Sequence, residues 1–314
     1  MFPYISIGSL KLPTYLIMVI IGMISYTIVT LYLLEKKEKY EPKTVNKLLI
    51  ISVVSFIILY VSALIMNSIF HSIEKGYIVI GGITWLGGVV VTLPVTVLLI
   101  YKFVPELRGK ALNTFSLMIP GLVLAHGFGR LGCFFGGCCF GKVTDSFLGV
   151  VFPEGSPAAH LYPSIDGSSL PVLPTQLYEA LFEFLLFVVL MIFYKKLKTK
   201  NIEVYGISYS IFRFCLEFLR GDSRGETGFQ FSPAQFLSIV LIIYSVLIIL
   251  FKKKLIFKKI HSKIEKDINN TKNEKEDNLI HDLTKLYELY KSGGLTEEEY
   301  TKIKVNYVDK IANK

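Results

Sequence analysis

The chain has 314 residues, of which 52% are apolar and only 19% charged, with a mean hydropathy of +0.51. That balance excludes a soluble globular domain and places the chain among polytopic membrane proteins. The net charge of +9 sits on loops and a tail of an otherwise apolar chain. It therefore reports topology and contact with anionic lipid; no DNA- or RNA-binding motif accompanies it, and nucleic acid is excluded as a partner.

In chain order, apolar runs long enough to cross a bilayer, about 20 residues each, lie near 14–34, 47–67, 77–103, 114–130, 176–194, 204–219 and 233–251. They predict an all-α integral membrane protein of seven transmembrane helices. Basic residues are retained on the cytoplasmic side. Lys36, Lys37, Lys39 and Lys43 mark the first loop as cytoplasmic, Arg108 and Lys110 the third, and Lys195, Lys196, Lys198 and Lys200 the fifth. The loop 131–175 carries only Lys142, so it faces outward with the N-terminus, and the C-terminus is cytoplasmic. The first span has no small-residue cleavage site and reads as a retained span. The expected location is a bacterial cytoplasmic membrane, with the lipid bilayer as solvent.

The membrane domain is expected over 1–251, a basic and polar linker over 252–278, and a small cytoplasmic helical hairpin over 279–314. Leu283, Leu286, Leu289 and Tyr290 fall on one helical face, Gly293-Gly294 breaks the helix, and Thr296 with Glu299 forms a capping box. This segment resembles the SHOCT (short C-terminal) domain. About 30 residues bury little core, so the hairpin is expected to associate with itself or dock on a partner.

The chemistry-bearing positions lie on the outward half. Arg130 sits among glycines and three of the chain's four cysteines, where span four meets its loop. An arginine there is costly unless it lines a wet cavity or meets an anion. His126, one helical turn earlier, is either a base or a structural hydrogen bonder. Span five opens with Pro174-Thr175-Gln176-Leu177-Tyr178-Glu179; capping explains the first two but not Gln176, Tyr178 and Glu179 at membrane depth. Span six ends with Arg213, Glu217 and Arg220 at spacings of four and three, placing all three on one helical face. Their net excess of one positive charge suits an anion, and phosphate is the obvious candidate because guanidinium binds it bidentately.

Taken in series, Gly129-Arg130-Leu131-Gly132, Pro174-Thr175-Gln176-Leu177-Tyr178-Glu179 and Arg213-Phe214-x-x-Glu217-Phe218-x-Arg220-x-Asp222 resemble the prolipoprotein diacylglyceryl transferase family over roughly residues 5–250. The resemblance implies transfer of a diacylglyceryl group from phosphatidylglycerol to the lipobox cysteine of exported prolipoprotein signal peptides, with release of glycerol phosphate and no cofactor. It casts Arg130, Arg213, Glu217, Arg220 and His126 as catalytic, and Tyr15, Gly129, Gly132, Cys138, Gly141, Gln176, Tyr178 and Glu179 as substrate-binding. It also shows departures. Cys133 and Gly136 stand where the family pattern has asparagines, Cys138 where it has glutamate, Leu86 where it has a histidine, and Leu173 where a histidine precedes the proline. The anion-binding half of the site is thus retained and the proton-handling half altered. Two alternatives accompany this reading: a phospholipid-dependent transferase with another acceptor, and a thiol-redox or non-catalytic membrane protein on the same scaffold. The C-x4-C-C spacing of Cys133, Cys138 and Cys139 does not match standard zinc pairs, so no metal is expected.

Overall fold

The computed structural model describes residues 4–7, 10–222 and 225–312. They divide into two compact units, 1–249 and 250–314. The first opens with an antiparallel β-hairpin, β1 (Tyr4–Ile7) and β2 (Leu10–Pro13), with Tyr4 opposite Pro13. This hairpin departs from the all-α expectation, and its β-branched Ile5 suits a pleated strand. The chain then enters α1 (Thr14–Leu31), whose last turns widen over Tyr32–Lys37. Next come α2 (Pro42–Lys75), α3 (Trp85–Phe103), a 3₁₀ segment (Pro105–Lys110) and α4 (Ala111–Phe135). The short α5 (Pro157–Leu161) lies in the long loop; α6 (Thr175–Ile192), α7 (Tyr194–Leu197), α8 (Asn201–Leu216) and α9 (Pro233–Lys291) complete the series.

Six of these helices are long and apolar enough to cross a membrane: 14–37, 42–75, 85–103, 105–135, 175–192 and 233–254. The seventh expected span falls on α8, whose 16 residues are too short to count by the same measure. Its helix stops at Leu216 because Glu217–Leu219 tightens to a 3₁₀ turn and Arg220 is extended. Span three also starts later than expected, at Trp85; residues 78–84 are not helical.

Small residues set the helix spacing, as expected where hydrophobic burial cannot discriminate one apolar neighbour from another. A side chain at Gly22 of α1 would come 2.9 Å from the Ala125 carbonyl of α4, and one at Gly88 of α3 would come 2.6 Å from the Leu59 carbonyl of α2. Buried hydroxyls and amides tie helices together: Tyr26 to Ser52 at 2.7 Å, Thr96 to Ser55 at 2.9 Å, and Asn201 to the Ser116 carbonyl at 3.0 Å. Pro94 and Pro120 lie within α3 and α4, positions that membrane helices tolerate when neighbours satisfy the freed carbonyls.

The loop between α4 and α6 is a packed lobe. Phe140, Phe152, Ala158 and Val172 bury a small core of their own. Backbone bridges join Gly141 to Arg220 and Val172 to both Val143 and Val150, and the Tyr162 hydroxyl donates to the Gly221 carbonyl at 2.9 Å.

The second unit holds the rest of α9 and α10 (Glu297–Ala312). Gly293 has φ +76°, and the Gly294 N–H returns to the Leu289 carbonyl at 2.9 Å, a glycine-based helix stop. Thr296 and Glu299 bond reciprocally through backbone and side chain, and the Tyr290 and Tyr300 rings stack at 4.9 Å.

Candidate active site

Three helices bring a buried charged cluster together. α4 supplies His126 and Arg130, which share a face at a spacing of four; α6 supplies Glu179 and Glu183 by the same rule, and α8 supplies Tyr205, Tyr209 and Arg213. Glu179 and Glu183 are wholly buried, and His126 nearly so. Charges at that depth persist only when paired. Arg130 Nη2 lies 3.1 Å from Glu179 Oε1, and the Tyr209 hydroxyl donates to the same oxygen at 2.8 Å.

His126 is held from four sides. Arg130 Nε donates to its Nε2 at 3.2 Å. That donation needs a lone pair on Nε2, which selects the tautomer with its proton on Nδ1. Nδ1 in turn lies 2.8 Å from Glu183 Oε1. Trp85, the only tryptophan, stacks on the imidazole at 4.4 Å, and Tyr209 meets it edge-on at 5.1 Å.

This cluster forms one wall of a cavity of about 270 Å³. Tyr15, His126, Gly129, Arg130, Cys133, Cys139, Tyr209 and Arg213 supply its polar lining, and Val19, Met23, Phe56, Leu59 and Leu86 are among its apolar walls. Gly132 lies just behind: a side chain there would press on the Tyr15 ring at 3.1 Å.

The second group of expected residues surrounds the loop after α4. Arg213 Nη1 pairs with Glu217 Oε2 at 2.6 Å. Arg220 reaches away from the cavity lining: Nη2 pairs with Asp222 at 2.6 Å, and Nη1 donates to the Cys139 carbonyl at 2.8 Å. The expected common face of Arg213, Glu217 and Arg220 is therefore broken at Leu216, where the helix ends, and the expected excess positive charge is matched by Asp222. Gln176 Nε2 donates to the Cys138 carbonyl at 2.7 Å, and Thr175 Oγ1 to the Cys139 carbonyl at 2.8 Å. Gly141 passes between Leu173 and Leu219, where a side chain would come 2.7 Å from each. Tyr178 is half-buried and does not line the cavity.

Sequence reasoning missed Glu183, Tyr209 and Trp85. Glu183 had a usable signal, being a second acid four residues after Glu179 in an apolar run. Tyr209 and Trp85 had none, since aromatic residues in apolar helices are ordinary. The linear spacing of the cysteines gave no sign of their convergence: Cys133, Cys138 and Cys139 bring their Sγ atoms within 4.8 Å of one another.

A buried arginine–carboxylate cluster lining an apolar-walled cavity within a bundle of membrane helices is the arrangement of a membrane protein with a charged site in its interior. Residues 3–251 match the prolipoprotein diacylglyceryl transferase family, and the chain belongs to that family. Among curated relatives, the phosphatidylglycerol–prolipoprotein diacylglyceryl transferase of Clostridium tetani is 30% identical over 251 residues, covering 76% of this chain and 93% of that protein. The phosphatidylglycerol–prolipoprotein diacylglyceryl transferase 2 of Clostridium perfringens is 40% identical over 143 residues, covering 45% of this chain and 52% of its own length. That of Chlorobaculum tepidum is 36% identical over 149 residues, 46% of this chain and 47% of its own. The chain thus spans about half the length of two of these relatives and nearly all of the third. It is a multi-pass membrane transferase.

Proposed function

We propose that this member carries out its family's reaction, moving the diacylglyceryl group of phosphatidylglycerol onto the lipobox cysteine thiol of a prolipoprotein. The observation that carries the reading is that Arg130 and Arg213 both line one apolar-walled cavity. Its volume suits a polar headgroup, with the acyl chains left to the bilayer. In the reaction a sulfur–carbon bond forms at the glyceryl CH₂ and the carbon–oxygen bond to phosphate breaks, so negative charge grows on the departing glycerol phosphate. Arginines already in place stabilise that charge without reorganisation. Glu179 and Glu217 keep the two guanidinium groups oriented, and the apolar walls exclude water that would compete with the thiol.

His126 serves this scheme as a positioning residue. Its Nε2 lone pair already accepts from Arg130 Nε, while Nδ1 faces Glu183, so it steadies Arg130 and is not poised to take the thiol proton.

We read α8 as a seventh crossing. Its 16 residues rise about 24 Å and the following 3₁₀ turn adds about 6 Å, close to the hydrocarbon thickness of roughly 30 Å. The lysine-rich loops support an outward N-terminus and a cytoplasmic C-terminus. The second unit, with its SHOCT-like pattern, is assigned to self-association or partner docking, supported by the exposure of Leu289 and Val305.

The test is transfer of labelled glycerolipid from phosphatidylglycerol to a lipobox peptide by the purified protein, beside Arg130→Ala. Transfer by the wild type that is lost in the variant is the expected result. A folded protein that binds phosphatidylglycerol but transfers nothing to the peptide overturns the assignment of acceptor.

A further inference from the structure

Cys133 ends a turn of α4, whereas Cys138 and Cys139 lie in the loop that follows and bends back to it. Their three Sγ atoms lie within 4.8 Å of one another, and Cys133 and Cys139 line the cavity beside Arg130. The linear spacing argued against zinc because it counts ligands along a chain; folding supplies the convergence that the spacing lacks. Three sulfurs bound to one Zn²⁺ at about 2.3 Å lie about 3.8 Å apart, so the observed triangle must contract by no more than about 1 Å to close on a metal.

The loop is built to hold this arrangement. Cys139 adopts φ +64° and Gly137 φ +69°, and a non-glycine residue stays left-handed only where its surroundings fix it. Here Gln176 clamps the Cys138 carbonyl, and Thr175 and Arg220 both clamp the Cys139 carbonyl. The Cys138 N–H also returns to the Cys133 carbonyl at 3.2 Å. These contacts fix backbone and leave the thiols turned toward one another.

Three protein ligands with a fourth position open to a cavity is the layout of a catalytic zinc site, as opposed to a closed structural one. We propose that Cys133, Cys138 and Cys139 bind one Zn²⁺ and that the acceptor cysteine enters the fourth position as a thiolate. The proposal rests on the transfer reaction above and supplies what His126 does not: a route for the thiol proton. A thiol that coordinates zinc is deprotonated outright, and its proton passes to solvent. The thiolate sulfur then attacks the glyceryl CH₂, the carbon–oxygen bond breaks with its electron pair leaving on glycerol phosphate, and zinc keeps its oxidation state. The thioether product is a weaker ligand and departs. Arg130 and Arg213 on the same wall offset the negative charge of a thiolate-rich site.

The test uses the full-length protein purified in detergent from zinc-supplemented cells. Metal analysis is expected to find about one zinc per chain, lost in Cys133→Ser and Cys138→Ser and kept in Cys215→Ser, whose cysteine is exposed on α8. Co²⁺ exchanged into the wild type should give thiolate charge-transfer absorption that rises when a lipobox peptide is added and stays unchanged with its serine analogue. This readout needs no turnover and no variant that folds. Zinc bound with the peptide response but without transfer from phosphatidylglycerol supports the metal site and overturns the donor assignment instead. Transfer by a zinc-free wild type, a Cys133–Cys138 or Cys133–Cys139 disulfide found by mass spectrometry, or a Co²⁺ spectrum indifferent to the peptide thiol each overturns the proposal.

Discussion

The charged cluster and the thiol cluster meet on α4, where Arg130 and Cys133 are one turn apart, yet they are held in opposite ways. Arg130, Glu179, Glu183 and Tyr209 sit on three helices whose spacing is fixed by close packing; Arg130 and the Tyr209 hydroxyl both meet Glu179, and Glu183 faces His126. Two of the three thiols instead ride on a non-helical loop whose backbone is fixed by side chains from α6 and from the turn after α8. A site that stabilises growing charge gains from immobility, since any reorganisation adds to the barrier. A site that admits and releases a thiol needs its sulfurs gathered on a backbone that is itself held in place. On the proposed reaction this difference divides the labour, with the helices assigned to the leaving group and the loop to the acceptor.

The largest expected effect tests the helical side of that division. Arg130→Ala should lower transfer by about 10²- to 10³-fold, measured as kcat/KM with phosphatidylglycerol. Arg130→Lys should recover only part of this, because an ammonium is a point charge without the planar fork that meets phosphate oxygens bidentately. A loss smaller than about tenfold would break the comparison. Glu179→Ala should act on stability as well as rate. Removing one partner of a buried pair costs about 3–5 kcal/mol, read as a lower midpoint in thermal or denaturant unfolding.

His126→Ala sharpens the comparison further. A general base contributes about 10²- to 10⁴-fold, and its loss reshapes the pH–rate profile. A positioning residue gives a smaller loss with the profile unchanged, and His126→Gln should restore much of it because an amide oxygen can accept from Arg130 Nε. Rescue by glutamine together with an unaltered profile is the expected outcome. On the loop side, Gln176→Leu removes the donor to the Cys138 carbonyl and leaves that buried acceptor unsatisfied, a cost of about 1–3 kcal/mol. It should appear as faster alkylation of Cys138 relative to Cys215.

The two sides also differed in how far the sequence foretold them. Hydropathy located all six long membrane helices, because apolar length is a strong and local signal, but not all their ends: α3 starts eight residues late, and α2 and α4 run eight and five residues past their expected ends. The spacing of His126 and Arg130 placed both on one face for the same reason. Arg220 was misplaced because its periodicity was continued past Leu216, and nothing in Glu217-Phe218-Leu219 announces a change from α to 3₁₀ geometry. The thiol triangle was illegible for a deeper reason. It depends on the left-handed backbone at Cys139 and on clamps contributed from residues 36 and 81 positions away, and such long-range constraint leaves no periodic trace. The N-terminal β-hairpin escaped notice because four-residue strands are too short to show alternation.

The smallest expected effect lies in the second unit and separates local helix chemistry from the membrane domain altogether. The Thr296 N–H and hydroxyl both donate to Glu299 Oε2, and bonding from Thr296 holds the Glu299 carboxyl below its ordinary value of 4.5. A carboxyl lowered on folding contributes stability that is present above its ordinary value and lost as pH falls through the lowered one. Thr296→Ala removes the N-cap, a loss of about 1 kcal/mol for a helix such as α10, and it also removes the hydroxyl's share of the bonding that lowers Glu299. Hydrogen exchange on the full chain, corrected for intrinsic rates, should show weaker protection of amides in the first turns of α10 at neutral pH. The gap between variant and wild type should narrow as the medium is acidified, while amides of α4 and α6 stay as they were. Equal loosening of α4 would mean that the two units are energetically coupled, and the C-terminal hairpin would then act on the transferase as well as on whatever it docks.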